Sequence, residues 1–421
     1  MIILNNEQNI TSVKTGVKMT KVKEQKPISK NKLLGIAGFA WMFDAMDVGI
    51  LSFIIAALAV EWDLTSGQMG WIGSVNSIGM AVGALLFGVF ADKVGRKKVF
   101  MFTLILFSVA SGLSALTTTL AAFLILRFFV GMGLGGELPV ASTLVSESVP
   151  AKDRGRMVVL LESFWAAGWL LSALIAYFII PEYGWRLALI ITALPAFYAI
   201  YLRLKLPDSP QFEASKKETR SVFQNIKDVW AKDYAKRTLM LWIVWFMVVF
   251  SYYGMFLWLP SVMVMKGFTL IKSFEYVLIM TLAQLPGYFS AAWLIEKMGR
   301  KFVLITYLLG TAASALVFGS AETTTLLIVS GMLLSFFNLG AWGALYAYSP
   351  EQYPAVIRGT GSGMAASVGR IGGILGPLLV GWLVTANYEI GYIFGIFCVS
   401  IVIGVLAVVF LGTETKQTEL K

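Results

Sequence analysis

Six ionisable side chains lie inside long apolar stretches of the sequence, where such side chains are rare. They are Asp44, Asp47, Arg127, Glu137, Glu162 and Arg370. A charged residue at the centre of a membrane-spanning helix costs about 2.5–3.5 kcal/mol on insertion scales, so these residues are functional candidates by default. The chain has no histidine. Any proton relay among these positions must therefore use carboxylates.

The two aspartates of the first apolar stretch are candidates for proton binding. Asp44 and Asp47 are three residues apart and therefore share one helix face. From a helix start near residue 36 they lie roughly 12 to 17 Å deep, at about 1.5 Å per residue. Two carboxylates this close cannot easily both be charged in a low dielectric, so one is expected to carry a proton at neutral pH and release it as water access changes. The alternative is a structural ion pair with Arg127.

Glu137 and Glu162 complete the predicted proton-coupling set, and each has an alternative role. Glu162 lies about five residues into its apolar stretch, so its side chain could instead reach the polar interface. Glu137 stands in segment 135–139 (GGELP), where the glycines favour close helix packing. The predicted proton-coupling residues are Asp44, Asp47, Arg127, Glu137 and Glu162.

Arg370 is the remaining deep charge, and its surroundings favour an anion site. It lies about ten residues into its apolar stretch, near the membrane midplane. Eight glycines stand between positions 359 and 381, which makes a thin helix that neighbours can approach closely. An arginine can hold a planar carboxylate through two parallel hydrogen bonds. The alternative is an ion pair with Asp47 or another carboxylate.

Membrane-spanning helices are the elements that position these residues. Hydrophobic residues make up 57% of the chain, charged residues 14%, and the mean hydropathy is +0.76, whereas soluble proteins carry about 25% charged residues. One span needs about 20 apolar residues. Runs of this kind predict twelve helices, at 35–60, 69–91, 99–116, 121–145, 157–180, 186–206, 238–260, 274–296, 302–319, 325–348, 360–385 and 388–411.

The positive charges predict the orientation of these helices. Most of the 34 lysines and arginines lie before the first helix, in alternate loops and after the last helix, which places both termini in the cytoplasm. The net charge of +10 is therefore explained by the lysines and arginines of the cytoplasmic loops, and no nucleic-acid partner is expected. The predicted segments are a cytoplasmic basic segment (1–34), an N-terminal six-helix half (35–206), a cytoplasmic linker (207–237), a C-terminal six-helix half (238–411) and a cytoplasmic tail (412–421).

The two halves carry the same loop motifs at an offset of 204 residues. Segment 92–97 (DKVGRK) matches 296–301 (EKMGRK), and positions within 147–155 match positions within 351–359. One offset in two separate loops indicates a duplicated fold. Ion pairs there can lock helices at the cytoplasmic face and release them when a cavity opens, although the charges could serve only to set topology. The predicted gating residues are Asp92, Gly95, Arg96, Glu147 and Arg154, with Glu296, Gly299, Arg300, Glu351 and Arg358 in the second half.

These motifs resemble those of the major facilitator superfamily. Segment 88–97 (GVFADKVGRK) is similar to its loop between the second and third helices, and Arg127 with Gly131, Gly133 and Gly135 is similar to its fourth-helix pattern. More narrowly, the chain resembles the bacterial niacin permeases, which are related to aromatic acid:proton symporters. The segments concerned are 43–47 (FDAMD), 134–139 (LGGELP), 251–254 (SYYG) and 414–420 (ETKQTEL). Those symporters usually have glycine where this chain has Ala45, which fits niacin permeases better than benzoate carriers.

The resemblance implies an importer of nicotinate or a close aromatic monocarboxylate in the cell membrane, working by alternating access and coupled to protons. It also implies that the first and fourth helices of each half line the cavity, where aromatic rings can stack on a flat substrate. The predicted substrate-binding residues are Arg370, Tyr252, Tyr253, Trp258, Asn338, Trp342 and Tyr346. No cofactor or metal is expected, and a monomer is expected.

Three other functions stay open from the sequence. A sugar facilitator or a drug exporter would belong to the same class, and segment 207–210 (PDSP) is similar to a sugar-porter pattern, but a deep arginine suits an anion better. A transporter-like nutrient sensor would normally carry a longer cytoplasmic tail. An enzyme is not expected, because the chain has no histidine, one cysteine and neither a Gly-Lys-Ser/Thr phosphate loop nor a Gly-x-Ser-x-Gly elbow.

Overall fold

The computed structural model describes residues 30–94, 96–148, 154–194 and 222–416, and all regular structure in these ranges is helical. The helices are α1 (Lys30–Glu61), α2 (Ser66–Val94), α3 (Arg96–Ser114), α4 (Leu120–Ser148), α5 (Arg154–Thr192), α6 (Val222–Val229), α7 (Ala235–Phe256), α8 (Leu259–Met265), α9 (Leu270–Leu282), α10 (Gln284–Met298), α11 (Arg300–Ser320), α12 (Thr324–Glu351), α13 (Ala355–Thr385) and α14 (Ile390–Leu411).

Nine helical segments of the described residues are long and apolar enough to cross a membrane. α3 and α4 add shorter apolar helices at Met101–Ser114 and Leu120–Gly135. The predicted span 186–206 begins within α5 and continues past the described residues. The count of twelve spans and the cytoplasmic position of both termini therefore stay predictions.

Proline and glycine break the helices inside several predicted spans. α5 joins two predicted spans through Pro181 and Gly184, whose φ of 79° is one that glycine adopts without steric cost. α9 ends at Leu282, four residues before Pro286, because a proline ring clashes with the carbonyl four residues earlier. Pro260 stands in the first turn of α8, where a missing N–H group costs no helical hydrogen bond. Each of these helix breaks therefore lies at or within a few residues of a proline or glycine.

Small residues bring α2 close to α4 on one side and to α13 on the other. A Cβ atom added at Gly79 or Gly135 would collide with the backbone of the facing helix in the α2 and α4 pair, as expected for small residues at membrane helix contacts. On the other side of α2, Ser74 Oγ donates a 2.7 Å hydrogen bond to the carbonyl of Ile374 in α13. α2 and α13 thus join the helices before residue 195 to those after residue 221.

α1 lies in the interior, packed along α5. Ser172 Oγ of α5 donates a hydrogen bond of 2.7 Å to the carbonyl of Met46, and a Cβ atom added at Gly168 would collide with the backbone of α1. This close approach places the aspartates of α1 inside the protein, away from lipid.

The predicted terminal and linker segments lie partly outside the described residues. Of the linker 207–237, the described part contains α6, and Thr238 Oγ1 at the start of α7 donates a 2.7 Å hydrogen bond to the carbonyl of Val229. Arg237 also donates to the carbonyl of Gln352, at 3.2 Å. This part of the linker is therefore folded against the helices. The five segment boundaries stay predictions.

Candidate substrate and coupling site

Aromatic side chains from four helices meet where the helices before residue 195 face those after residue 221. The set, called the aromatic cluster below, consists of Trp41 from α1, Trp165 and Trp169 from α5, Trp245, Tyr252, Tyr253 and Phe256 from α7, and Trp342 and Tyr346 from α12. Within α5 and α12 these residues are four apart, so they share one helix face. α5 and α12 therefore each present an aromatic face to the cluster, whereas α1 contributes a single ring.

Two indole rings form the centre of this cluster. The rings of Trp165 and Trp342 are nearly parallel, with centroids 6.3 Å apart and an interplanar angle of 20°. Tyr252 lies 4.8 Å from Trp342 between centroids, and its hydroxyl accepts a 2.8 Å hydrogen bond from Trp165 Nε1. These distances are typical of favourable aromatic pairs. The result is a buried, closely packed group of rings, within which the Tyr252 hydroxyl and the Trp165 N–H group bond each other.

The Arg370 guanidinium lies at one edge of the aromatic cluster. Its Nη1 is 3.4 Å from the Tyr253 hydroxyl and 3.5 Å from Met80 Sδ, and the Tyr253 ring lies 5.2 Å from Tyr252. Among the described residues no carboxylate lies within ion-pair distance of Arg370. An ion pair between Arg370 and Asp47 is therefore not found. The guanidinium keeps bonding capacity beyond these two long contacts.

Glu162 lies against the same cluster on α5, completely buried. Its nearest donors are the indoles of Trp41 and Trp342, but both carboxylate oxygens lack a hydrogen bond of normal length, as does Trp41 Nε1. Tyr288 and Tyr346 are within electrostatic reach of Glu162. The side chain therefore points into the interior, and it does not reach the polar interface.

Asn338 and Trp258 differ in their relation to the cluster. Asn338 is one turn before Trp342 on α12, and its buried Oδ1 lacks a hydrogen-bond partner. Trp258 is buried at the break between α7 and α8. Within the part of the chain that the structure describes, the Trp258 ring contacts no ring of the aromatic cluster. Of the predicted aromatic residues, Tyr252, Tyr253, Trp342 and Tyr346 are brought together, and Trp258 is not.

A second polar site lies between α1, α3, α4 and α5. Arg127 Nη1 is 3.1 Å from Asp47 Oδ2, with both side chains fully buried, and Ser111 Oγ donates a 2.7 Å hydrogen bond to Asp47 Oδ1. Ser111 also bonds Thr192 Oγ1 at 2.8 Å. This is the structural ion pair that the sequence offered as an alternative. Asp44 is likewise buried, and the side chain of Glu137 lies outside the described residues.

Charged residues of the second half gather around Arg300, in a set called the Arg300 cluster below: Glu296, Arg300, Glu351 and Glu414. Arg300 Nη1 is 3.2 Å from Glu296 Oε2, and Arg300 Nε is 3.0 Å from Glu351 Oε2. Gly299 precedes them with a φ of 93°. The arrangement links three helices, α10, α11 and α12, through one guanidinium.

The chain after α14 also joins the Arg300 cluster. Glu414 accepts hydrogen bonds from the backbone N–H groups of Arg300 and Lys301, at 2.9 and 3.0 Å. A carboxylate at a helix N-terminus satisfies free N–H groups and complements the helix dipole. Thr415 Oγ1 donates to Glu351 Oε2 at 2.6 Å. Residues 412–416, predicted only as a tail, thus lie folded against α11 and α12.

The remaining predicted gating residues are less fully described. Gly95 lies outside the described residues, and so do the side chains of Asp92, Arg96, Glu147 and Arg154. Arg358 Nε donates to the carbonyl of Tyr353 at 3.3 Å.

Sequence reasoning missed several aromatic residues of the site. Trp41, Trp165, Trp169, Trp245 and Tyr288 were not predicted. A signal existed for two of them, because Glu162, Trp165 and Trp169 follow one another at spacings of three and four, which places them on one helix face. A buried carboxylate on the same face as two tryptophans distinguishes them from lipid-facing rings.

Comparison with known proteins identifies relatives over nearly the whole chain. The Major Facilitator Superfamily model matches residues 37–291 and 276–421. A Bacillus subtilis protein named "Putative niacin/nicotinamide transporter NiaP" is 66% identical over 94% of this chain and 100% of its own length. The "Niacin transporter NiaP" of Acinetobacter baylyi is 46% identical over 94% of this chain and 98% of its own.

The fold is also shared with a solved structure. The proton:xylose symporter XylE has a TM-score of 0.75 at 20% identity, covering 93% of this chain and 97% of that chain. The all-helical prediction is therefore confirmed at the level of the fold. The family model and the two relatives named as transporters confirm the prediction that the chain is a membrane transporter and not an enzyme.

Proposed function

The chain belongs to the major facilitator superfamily, and from that premise we propose that it imports nicotinate across the cell membrane by proton-coupled alternating access. The names of the two relatives support niacin as the substrate. The observation that carries the proposal is the aromatic cluster with Arg370 at its edge. A small aromatic carboxylate has the flat ring and the charge that these groups are suited to bind.

The substrate is proposed to lie with its ring against the aromatic cluster and its carboxylate on Arg370. Trp342, Tyr252 and Tyr346 offer ring faces or edges, and Tyr253 positions the guanidinium. The partly buried positive charge of Arg370 suits a carboxylate better than an uncharged sugar. The protein is proposed to work as a monomer with cytoplasmic termini.

Proton coupling is proposed to use the buried carboxylates of the first half. Asp44, Asp47 and Glu162 are the described members, Arg127 is the cation that holds Asp47, and Glu137 is the fifth member. The halves are proposed to rock around this site. The gate of the second half is proposed to lie at the cytoplasmic face, where ion pairs hold its helices together. Its residues are Glu296, Gly299, Arg300, Glu351 and Arg358. Their counterparts in the first half are Asp92, Gly95, Arg96, Glu147 and Arg154.

Uptake of radiolabelled nicotinate tests the proposed function. Proteoliposomes containing the purified chain should accumulate nicotinate when an inward proton gradient is imposed, and unlabelled benzoate should compete more strongly than glucose. Nicotinamide keeps the ring but lacks the charge, so it should compete less well than nicotinate. Absence of saturable nicotinate uptake, with glucose or a cationic drug transported instead, would contradict the proposal.

Weakening the Arg300 cluster should open the protein at that end. Among the described residues, Glu351→Gln leaves the Arg300 guanidinium with the more exposed Glu296 as its one ion-pair partner. Loss of a charge-assisted contact is worth about 1.5–3 kcal/mol, so the open population should rise roughly tenfold or more. The readout is maleimide labelling of a cysteine at Ala347, which is 2% exposed, in a Cys398→Ala background.

The matched control for this labelling is Glu275→Gln. Glu275 pairs with Lys272 at 2.7 Å in an exposed position, and exposed pairs contribute little. It should leave labelling unchanged. If Glu351→Gln also leaves labelling unchanged, the Arg300 cluster has no gating role.

A further inference from the structure

Two charged side chains approach the aromatic cluster from different helices. Arg370 comes from α13 and contacts Tyr253 and Met80, whereas Glu162 comes from α5 and lies nearest to Trp41 and Trp342. Both are within electrostatic reach of Tyr346. The two charges have opposite signs and separate neighbours, so the cluster is asymmetric. A ligand that carries different groups at two positions of one ring would be bound in a single orientation.

The Glu162 carboxyl group has capacity that the protein itself does not use. It is fully buried, and its two oxygens have the indoles of Trp41 and Trp342 nearby but no hydrogen bond of normal length. Most buried polar side-chain atoms in proteins have a partner, and one without it needs a reason. The nearby hydroxyl of Tyr288 and Nε1 of Trp41 are also buried without partners. A group of unpaired polar atoms at the edge of an aromatic surface is typical of a site that receives a polar atom of a ligand.

We propose that Glu162 recognises the ring nitrogen of the substrate while Arg370 holds its carboxylate. This inference rests on the proposed function and adds the residue that separates pyridine carboxylates from benzene carboxylates. The bond between Glu162 and the ring nitrogen contains one proton, carried by the carboxyl group or by the nitrogen. No covalent bond changes. Benzoate has a C–H group at that position, so Glu162 stays unpaired when benzoate binds.

The expected consequence is a large selectivity from a single atom. Sites built to hydrogen-bond a polar ligand atom reject analogues that lack it, because the buried partner is left unsatisfied. We expect nicotinate to bind at least about tenfold more tightly than benzoate. Nicotinamide retains the nitrogen and loses the charge, so the affinity difference between nicotinate and nicotinamide reports on Arg370, whereas the difference between nicotinate and benzoate reports on Glu162. The three ligands therefore separate the two contacts.

Equilibrium binding of nicotinate, benzoate and nicotinamide to the purified full-length chain tests this assignment. Glu162→Met removes the hydrogen bond and should bring the nicotinate to benzoate affinity ratio close to one, mainly by weakening nicotinate. Glu162→Gln keeps an N–H donor and should preserve most of the preference. Glu61→Gln is the matched control, because Glu61 pairs with Arg186 and Trp185 at the far end of α1. It should leave the ratio unchanged.

Each outcome decides the assignment. If Glu162→Met keeps the wild-type ratio, Glu162 does not recognise the nitrogen. If Glu162→Met fails to fold, the wild-type comparison still decides, because equal affinities for nicotinate and benzoate would overturn the assignment by themselves. If the wild-type protein binds benzoate but no pyridine carboxylate, the assignment also fails. If it binds none of these ligands and takes up none, the proposed function itself fails.

Discussion

Nicotinate affinity is expected to fall at least tenfold, about 1.4 kcal/mol, when Arg370 is replaced by glutamine. Arg370 has two long contacts, to the Tyr253 hydroxyl and to Met80, and no ion-pair partner among the described residues. Its guanidinium can therefore bind a substrate carboxylate without first breaking an internal salt bridge. Arg370→Lys should restore little of the affinity, because an ammonium group keeps the charge but loses the planar fork.

Loss of folding would imitate this result, so the binding measurement needs two controls. Arg370→Gln must reach the membrane at the normal level and stay monodisperse in detergent. Arg186→Gln is the matched arginine variant, because Arg186 pairs with Glu61 at 2.9 Å in a half-exposed position, and it should bind nicotinate normally. Nicotinamide binding should change little in Arg370→Gln. Wild-type nicotinate affinity in that variant would exclude the direct contact.

The helices were largely predictable because lipid imposes a simple rule. A span needs about 20 apolar residues. The predicted runs 302–319 and 325–348 lie within α11 and α12, and the run 388–411 covers α14 and starts two residues before it. Two of the breaks were also predictable. Pro286 was recognisable as a helix breaker, and the predicted gap between 157–180 and 186–206 contains Pro181 and Gly184, where the backbone of α5 is not helical. The φ of 79° at Gly184 is a detail that composition does not specify.

The site was predictable where charge made residues unusual. Arg370 and the buried pair of Asp47 with Arg127 stood out because charges within apolar runs are rare. Trp165 and Trp169 were missed because apolar residues cover every face of a membrane helix, so that only their spacing from Glu162 marks them as interior rings. The contact of Glu414 with α11 joins residues 114 positions apart, and no local pattern predicts such a contact.

Breaking the buried ion pair between Asp47 of α1 and Arg127 of α4 is expected to lower the stability of the protein strongly. Asp47→Asn removes the carboxylate 3.1 Å from Arg127, whose side chain is fully buried and whose Nε and Nη2 lack hydrogen-bond partners. Removing one member of a buried ion pair typically costs about 3–5 kcal/mol. We therefore expect a clear fall in the unfolding temperature of Asp47→Asn in detergent. The double variant Asp47→Asn with Arg127→Gln should recover much of that loss, because no unpaired charge is left buried.

Transport measurements then separate stability from proton coupling. Accumulation of nicotinate against its gradient needs a group that binds and releases a proton, whereas exchange of nicotinate across the membrane needs only alternating access. We expect Asp44→Asn and Asp47→Asn both to abolish accumulation, and at least one of them to retain exchange. If both variants still accumulate nicotinate under an inward proton gradient, the carboxylates of α1 do not couple protons to transport, and Asp47 is a structural partner of Arg127 alone.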